Sequence, residues 1–130
     1  CDFGELVRTA TSRSPEDEVD LASICLEIDL FGAATHGYLV GAAPLLSAGE
    51  IGILPLAGPV MALENAVRFL TDHLSGDVYF RVHRRGHNLD RFRAQLRLVE
   101  LMIERRAEMQ LIVDETWHGI RAGAGESAER

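Results

Sequence analysis

The stretch PVMALENAVRFLTDHLS at residues 59–75 decides the fold that the sequence predicts. Its large apolar side chains recur every three or four residues, as on one face of an α-helix. These residues are Val60, Leu63, Val67, Phe69, Leu70 and Leu74. Ser75 and Gly76 follow the last of them, and a glycine there ends a helix because it adopts the left-handed conformation at little cost. We therefore predict a helix over residues 59–75.

Helical spacing also occurs on the N-terminal side of this stretch. Apolar residues recur at three and four positions through residues 26–42 and predict a second helix there. Ser47 and Glu50 have the spacing of a capping box, in which each side chain bonds the other's exposed backbone N–H. They predict a short helix that reaches Pro55. Residues 1–23 are mostly polar and predict a loop with at most a short helix.

The C-terminal half is predicted to be helical after one irregular connection. Apolar and polar residues alternate near residues 78–83 and indicate at most one short extended segment. Asn88 is the predicted cap of a long helix that runs to about Glu115. The predicted fold class is all-α, with one helical unit over residues 1–115 and a flexible tail over residues 116–130.

The composition restricts the class of protein. The chain has 130 residues, of which 47% are hydrophobic and 25% charged, as in one soluble globular domain. No uninterrupted apolar run approaches the ~20 residues of a membrane span. The net charge of −7 opposes nonspecific nucleic-acid binding, and two cysteines favour a reducing compartment. We expect a water-soluble, cytoplasmic protein that binds neither nucleic acid nor membranes.

The triplet Asp2-Phe3-Gly4 admits two interpretations. In protein kinases the aspartate of an Asp-Phe-Gly triplet holds Mg²⁺ against the nucleotide phosphates. This sequence has no glycine-rich loop, no lysine and no His-x-Asp catalytic loop, which excludes a protein kinase for the chain by itself. We favour the other interpretation, in which Asp2 caps or braces a turn.

Two polar clusters have a structural and a functional interpretation. His83 and His87 have a metal-ligand spacing, but the residues between them are Arg-Arg-Gly, which oppose a cation and favour a solvated loop. An arginine cluster either binds phosphate or carboxylate ligands or, as we favour, pairs with acidic side chains of the same chain. It consists of Arg81, Arg84, Arg85, Arg91 and Arg93.

Arg68 and Asp72 lie four residues apart in the predicted central helix. They either form an intrahelical ion pair of ~0.3–0.5 kcal/mol or belong to the wall of a pocket. In the second case the hydroxyl of Tyr79 would reach the same pocket. The residues alone leave both possibilities open.

The stretch RFLTDHLSGDVYFRVHRRGHNLDRFRAQLRLVE, from Arg68 to Glu100, resembles the C-terminal helical region of aminoglycoside-phosphotransferase-like small-molecule kinases. The similarity is greatest to the bacterial branch that includes N-acetylhexosamine 1-kinases. The opening CDFGELVRTATS is similar to a segment of the same proteins, so the resemblance extends from Cys1 to about Glu115.

The resemblance implies a helical subdomain of a protein-kinase-like fold. The nucleotide lobe, the catalytic base and the metal-binding aspartate of such kinases precede the segment that matches Cys1, so no catalytic residue and no metal ligand is expected in this chain. Asp2 then corresponds to a bracing position, together with Glu5 and Arg8. Sugar-binding roles fall on Arg68 and Tyr79. The parent enzyme would use ATP and Mg²⁺, and the chain alone is expected to bind neither.

The expected function is that of the C-terminal part of an ATP-dependent phosphotransferase that acts on a hydroxyl of a small molecule, with no catalysis by the fragment itself. The expected acceptor class is a hexosamine-like sugar. An alternative is a free-standing helical domain that binds a partner or self-associates. The apolar stripe of residues 60–74 discriminates between them, because a covered stripe favours the autonomous domain and a bare one the fragment. A third possibility, catalysis by Cys1 as an N-terminal nucleophile, needs a strand-rich fold.

Overall fold

Five α-helices build the chain in the computed structural model, which describes residues 2–128. They are α1 (Asp2–Ala10), α2 (Ile28–Ala42), α3 (Ala48–Leu74), α4 (His87–Glu104) and α5 (Arg106–Ala128). Short 3-10 turns lie at Leu21–Ser23 and Ala43–Leu45. No residue from 2 to 128 forms a β-strand, which confirms the all-α class for that range. The hypothesis of a strand-rich nucleophile hydrolase is therefore wrong, and Cys1 itself lies outside the described residues.

Helix α3 is the central element, and it is longer than the sequence predicts. Ser47 and Glu50 form the predicted capping box at its start. The helix then continues through Pro55 and Pro59, where the sequence predicts two separate helices. A proline inside a helix costs ~3 kcal/mol because it lacks an N–H and crowds the preceding turn. Both prolines are buried, so their packing against the core offsets this local cost.

Helix α1 approaches α3 closely through two glycines. A Cβ on Gly4 would lie 2.5 Å from the carbonyl oxygen of Ala57, and one on Gly58 would lie 2.5 Å from Val7 Cγ1. Glycine removes the side chain that would hold the helices apart. The segment at residues 2–10, expected to be at most a short helix within a loop, is thereby packed as a regular helix.

The core lies between α3 and the other four helices. Helix α3 packs against α1 on one side and along α4 on the other, and α5 packs against α2 and α3. The buried side chains come from all five helices and from the loop before α2: Phe3, Val7, Leu26, Phe31, Leu39, Ile51, Leu54, Leu98, Met102, Met109 and Val113. The elements from both halves of the chain therefore share one core.

The predicted long helix from Asn88 to Glu115 is two helices. Arg105 ends α4, and its guanidinium donates to the carbonyl of Leu26 at 3.1 Å, which ties the break to the preceding loop. Helix α5 continues to Ala128, so a tail beginning at residue 116 is wrong for the described residues. Trp117 and Ile120 pack against the core and extend the helix, whereas residues 129 and 130 lie outside the described range.

Continuity through the two prolines also bears on the membrane question. Among residues 2–128, α3 alone is long and apolar enough to cross a membrane by length and composition, and 39% of its apolar window is buried within the protein. The sequence predicts no such element, because Pro55 and Pro59 indicate the end of one helix and the start of another. Water solubility and a cytoplasmic location remain predictions.

Candidate functional site

The carboxylate of Asp72 organises the loop between α3 and α4. Its Oδ1 accepts hydrogen bonds from the backbone N–H groups of Val78 at 3.0 Å and Tyr79 at 2.8 Å. Its Oδ2 accepts one from the N–H of Phe80 at 3.0 Å. Three successive N–H groups thus converge on one buried side chain, so the segment at residues 78–80 is held as a loop rather than as an extended strand.

Asn88 connects this loop to α4. Its Nδ2 donates to Asp72 Oδ2 at 2.7 Å and to Asp77 Oδ1 at 2.9 Å, while its Oδ1 accepts from Arg91 at 3.0 Å. The side chain is fully buried. The prediction of Asn88 as the helix cap is wrong, because Gly86 occupies the N-cap position with a left-handed φ of 76°. Asn88 instead donates to one carboxylate at the end of α3 and to another at the start of the loop that follows.

Asp72 is ionised at neutral pH. Burial raises the pKa of its carboxyl. The hydrogen bonds from the three loop N–H groups and the Asn88 amide together have a larger opposite effect, so the pKa lies below its ordinary value. An ionised carboxylate accepts only, and here each oxygen receives two donors. Because these four donors from the loop and Asn88 already occupy the carboxylate, it has little capacity left to bind a ligand.

Arg68 and Tyr79, the predicted sugar-binding pair, lie together. The guanidinium carbon of Arg68 is 5.8 Å from the ring centroid of Tyr79 and 5.5 Å from that of Phe80. No ion pair joins Arg68 and Asp72 in residues 2–128, so of the two possibilities the intrahelical pair is wrong. The loop that Asp72 holds places the aromatic rings against Arg68.

A groove of about 470 Å³ follows the C-terminal end of α3 beneath this loop. Its lining combines a cation, a carboxylate, two aromatic rings, three hydroxyls and aliphatic side chains: Val67, Arg68, Thr71, Asp72, Ser75, Val78, Tyr79 and Phe80. A guanidinium offers five N–H donors in a fixed fork, and an aromatic ring offers an apolar face. The arrangement suits a small polyhydroxylated ring.

Sequence reasoning missed several residues of this groove. Thr71 and Ser75 follow Arg68 at three and seven positions, which places their hydroxyls on one face of α3, so the helical spacing already contained this signal. Phe80 belongs to the alternating pattern of residues 78–83, which indicates an extended segment and gives no sign of a groove.

No family model matches this sequence.

Two of the three predicted bracing residues, Glu5 and Arg8, meet near the start of the chain. Arg8 pairs with Glu5, donates to Glu16 at 3.0 Å, and donates to Gln95 of α4 at 3.2 Å. The hydrogen bond from Arg8 lowers the pKa of Glu5 below the ordinary carboxylate range. Arg8 therefore ties α1 to the following loop and to α4, whereas Asp2 is exposed in the first turn of α1.

The second histidine of the predicted pair has both ring nitrogens engaged. His87 Nδ1 accepts from the backbone N–H of His83 at 3.2 Å, and its Nε2 lies 2.9 Å from Asp17 Oδ2. Across residues 2–128, no group of three or more His, Cys, Asp or Glu side chains is placed to hold a metal ion. His87 is buried rather than solvated, since it fastens the loop at Asp17 to α4.

The arginine cluster is paired largely within the chain. Arg84 contacts Asp17 and Asp90, and Arg91 lies 4.0 Å from Glu16. The contacts with Asp17 and Glu16 join the loop after α1 to the α4 region, as the favoured interpretation of pairing within the chain predicts. The guanidinium of Arg68, by contrast, has aromatic partners at the groove.

Trp117, which could also stack on a sugar, lies elsewhere. It borders a separate groove of about 550 Å³ between α5 and the turn after α2, with Arg121 at 5.4 Å from its ring centroid. It does not line the groove of Arg68 and Tyr79. The two expected sugar contacts, Arg68 and Tyr79, thus share one groove, and Trp117 lies apart from it.

The apolar stripe of residues 60–74 is bare along much of its length. Val60, Leu63, Val67 and Leu74 are 46% to 77% exposed, whereas Phe69 points into the core. A run of large apolar side chains exposed along one helix exceeds the scattered exposure of ordinary surfaces. This face of α3 has no partner in the part of the chain that the structure describes, and it is available to another surface.

Proposed function

We propose that the chain is the acceptor-binding helical part of a cytoplasmic, ATP-dependent phosphotransferase that acts on a hydroxyl of a hexosamine-like sugar. The observation that carries the proposal is the meeting of Arg68 and Tyr79 at one groove of about 470 Å³. The family resemblance assigns acceptor binding to these two residues, which are eleven positions apart in the sequence.

The groove has the chemistry that a sugar requires. The ring of Tyr79 supplies an apolar face for the C–H side of a pyranose, and Arg68 supplies donors for its hydroxyl oxygens. Thr71 and Ser75 add hydroxyls that both donate and accept. Because Asp72 holds the loop N–H groups, Tyr79 is positioned by the backbone before a ligand arrives, which reduces the entropic cost of binding.

Phosphoryl transfer itself is assigned to the remainder of the parent enzyme. In-line transfer requires a nucleotide, its Mg²⁺ and an acceptor hydroxyl held in one geometry. By the resemblance, the base and the metal ligands precede this region, and Arg8 braces it through Glu5, Glu16 and Gln95. We expect the 130-residue chain alone to bind the acceptor weakly and to transfer no phosphate.

The bare stripe on α3 favours the fragment over an autonomous monomeric domain, and a second copy of the chain would cover it as well as the rest of a parent enzyme would. A helix that is apolar on two opposite faces is normally covered on both, and within the described residues only one face of α3 is covered. The second candidate function, self-association without catalysis, draws on the same exposed residues. Intact mass of the protein in its source cells separates them, since a species much heavier than 14.3 kDa supports the parent enzyme.

Sugar binding is tested by nuclear magnetic resonance titration of the full 130-residue chain with N-acetylglucosamine and N-acetylgalactosamine. We expect amide shifts confined to residues 67–80, and their loss in Arg68→Ala and Tyr79→Ala. Arg93→Ala is the matched control, because Arg93 is an exposed arginine outside the groove. Shifts that persist in both groove variants, or no shifts with either sugar, would overturn the assignment.

A further inference from the structure

The outward face of α3 carries a seven-residue apolar repeat. Ile53, Val60, Val67 and Leu74 follow one another at intervals of seven, the a positions of a heptad. The d positions between them are also apolar: Leu56, Leu63 and Leu70. The repeat covers 22 residues without a polar residue at an a or d position, and it extends N-terminally beyond the stripe of residues 60–74.

This repeat faces away from the protein's own core. The a-position side chains are 54% to 77% exposed, and Leu63 is 46% exposed. The other two d positions, Leu56 and Leu70, are half-buried at the edge of the strip. The residues that α3 directs inward are different ones, among them Leu54, Ala62 and Phe69. Core packing of this chain therefore does not account for the repeat, whereas the pairing of two helices does.

We propose that a second copy of this chain covers the repeat, with the two α3 helices packed in parallel as a two-stranded coiled coil. The a positions at 53, 60 and 67 are β-branched and the d positions are all leucine, the combination that favours two parallel strands. A two-fold axis along the seam brings each position against its own equivalent, so one surface serves both copies.

The area available fits a reversible dimer. From Ile53 to Leu74 the seam is ~32 Å long at 1.5 Å per residue, and a helix is ~10–12 Å wide, which gives ~300–400 Å² of facing strip per copy. Apolar side chains widen the strip at both ends, with Tyr38 and Leu46 beside Ile53 and with Val78 beside Val67. The strip over two copies totals ~600–800 Å², well below the ~1,200 Å² at which stable specific interfaces begin, so we expect a weak dimer that forms reversibly with concentration.

Charge does not oppose this contact, although each copy has a net charge of −7. No a or d position is charged, and the flanking e and g positions contain one carboxylate, Glu64. In a parallel pair an e residue faces the g position of the preceding heptad. Opposite Glu64 that position is Pro59, which is uncharged and buried in its own copy. Like charges therefore do not meet along the seam.

The proposal is tested by sedimentation equilibrium of the full 130-residue chain over a range of concentrations. We expect a mass that rises from 14.3 kDa toward twice that value. Val60→Glu would weaken the dimer more than ~100-fold, because each dimer would then bury two facing carboxylates. Val40→Glu is the matched control, since Val40 is 59% exposed and Val60 is 60% exposed, but Val40 lies on α2. Circular dichroism of both variants checks that the fold is kept.

Orientation is tested by disulfide trapping in a background with both native cysteines replaced, Cys1→Ser and Cys25→Ser. In a parallel seam Val60→Cys meets its own equivalent and forms a covalent dimer under mild oxidation, whereas Val40→Cys does not. A chain that stays monomeric at every concentration, or a dimer that survives Val60→Glu, overturns the proposal. Val60-dependent binding to phosphatidylcholine vesicles by a monomeric chain would overturn it too and would assign the face to a membrane.

The outcome is independent of the proposed sugar site. Val67 borders both surfaces, so it is left unchanged in every variant. Loss of the dimer in Val60→Glu with sugar shifts retained would support the seam alone. Loss of sugar shifts in Arg68→Ala with the dimer retained would support the groove alone.

Discussion

Gly4→Ala should destabilise the protein through the contact between α1 and α3. The new Cβ would lie 2.5 Å from the carbonyl oxygen of Ala57 and 2.6 Å from Met61 Cγ. The side chain of Met61 can rotate away, but the carbonyl belongs to the backbone of α3 and cannot. A carbon and a carbonyl oxygen normally approach to ~3.3–3.6 Å, so the two helices must separate by about 1 Å.

The magnitude follows from that displacement. A gap of ~0.5–1 Å forfeits a quarter to a half of the dispersion attraction between the atoms that line it, and here it opens beside Phe3 and Val7, both in the core. Overpacking of this kind costs ~1–3 kcal/mol, and we expect a cost near the upper end because the backbone carbonyl of Ala57 cannot move away. Alanine also favours the helix over glycine by up to ~1 kcal/mol, which offsets part of this cost. The expected net loss is ~2 kcal/mol in the free energy of unfolding.

The assay is urea denaturation followed by far-UV circular dichroism at one fixed protein concentration. Gly52→Ala is the control, because Gly52 lies inside α3 and a Cβ added there would have nothing within 4 Å. That substitution should raise the free energy of unfolding by ~0.5–1 kcal/mol through backbone entropy alone. If Gly4→Ala and Gly52→Ala change stability in the same direction, the close approach of α1 to α3 is refuted.

Three further predictions concern the core and the loop. Asp72→Asn should speed amide hydrogen exchange at residues 78–80, and it should remove a pH dependence of the free energy of unfolding. Because the pKa of Asp72 is lowered in the folded state, the stabilisation by its carboxylate is present above the ordinary carboxylate pKa and is lost as the pH falls through the folded-state pKa. An Asn variant whose stability falls with acid as steeply as the wild type would contradict this role. Thr35→Val should stabilise the protein by ~1 kcal/mol in urea denaturation, because the buried Thr35 hydroxyl has no hydrogen-bond partner among the described residues; a destabilised Thr35→Val variant would contradict this reasoning. Phe69→Ala should cost ~3–5 kcal/mol in the same assay, since Phe69 is buried against Phe80; a loss under ~1 kcal/mol would place it outside the core.

Local rules accounted for the helices but not for all of their limits. The capping box at Ser47 and the apolar periodicity of residues 59–75 both predicted structure that is present. The prolines at 55 and 59 made the prediction of two separate helices wrong, because the cost of a proline is local whereas its burial depends on tertiary packing. Tertiary packing also explains the length of α5, because the contacts of Trp117 with the core stabilise the helix beyond residue 116.

The candidate site was only partly accessible from the sequence. Arg68 and Tyr79 came from a resemblance, and the structure adds their 5.8 Å contact. The role of Asp72 was not predictable from its helical neighbours, because its partners lie six to sixteen residues further along the chain. A hydrogen bond between distant residues leaves no periodic trace in a sequence.

The sequence by itself determined that this protein is helical, since apolar spacing and capping act within a few residues of one another and need no distant partner. It also contained the heptad of α3. Only the tertiary structure decided which face of that helix enters the core, because Gly4 and Gly58 let α1 pack closely against α3 at Ala57 and Gly58. The same packing leaves Val60 and Val67 in solvent. Whether a residue is buried depends on the contacts of the whole folded chain, so the sequence shows the heptad of α3 but only the tertiary structure shows that its a positions are exposed.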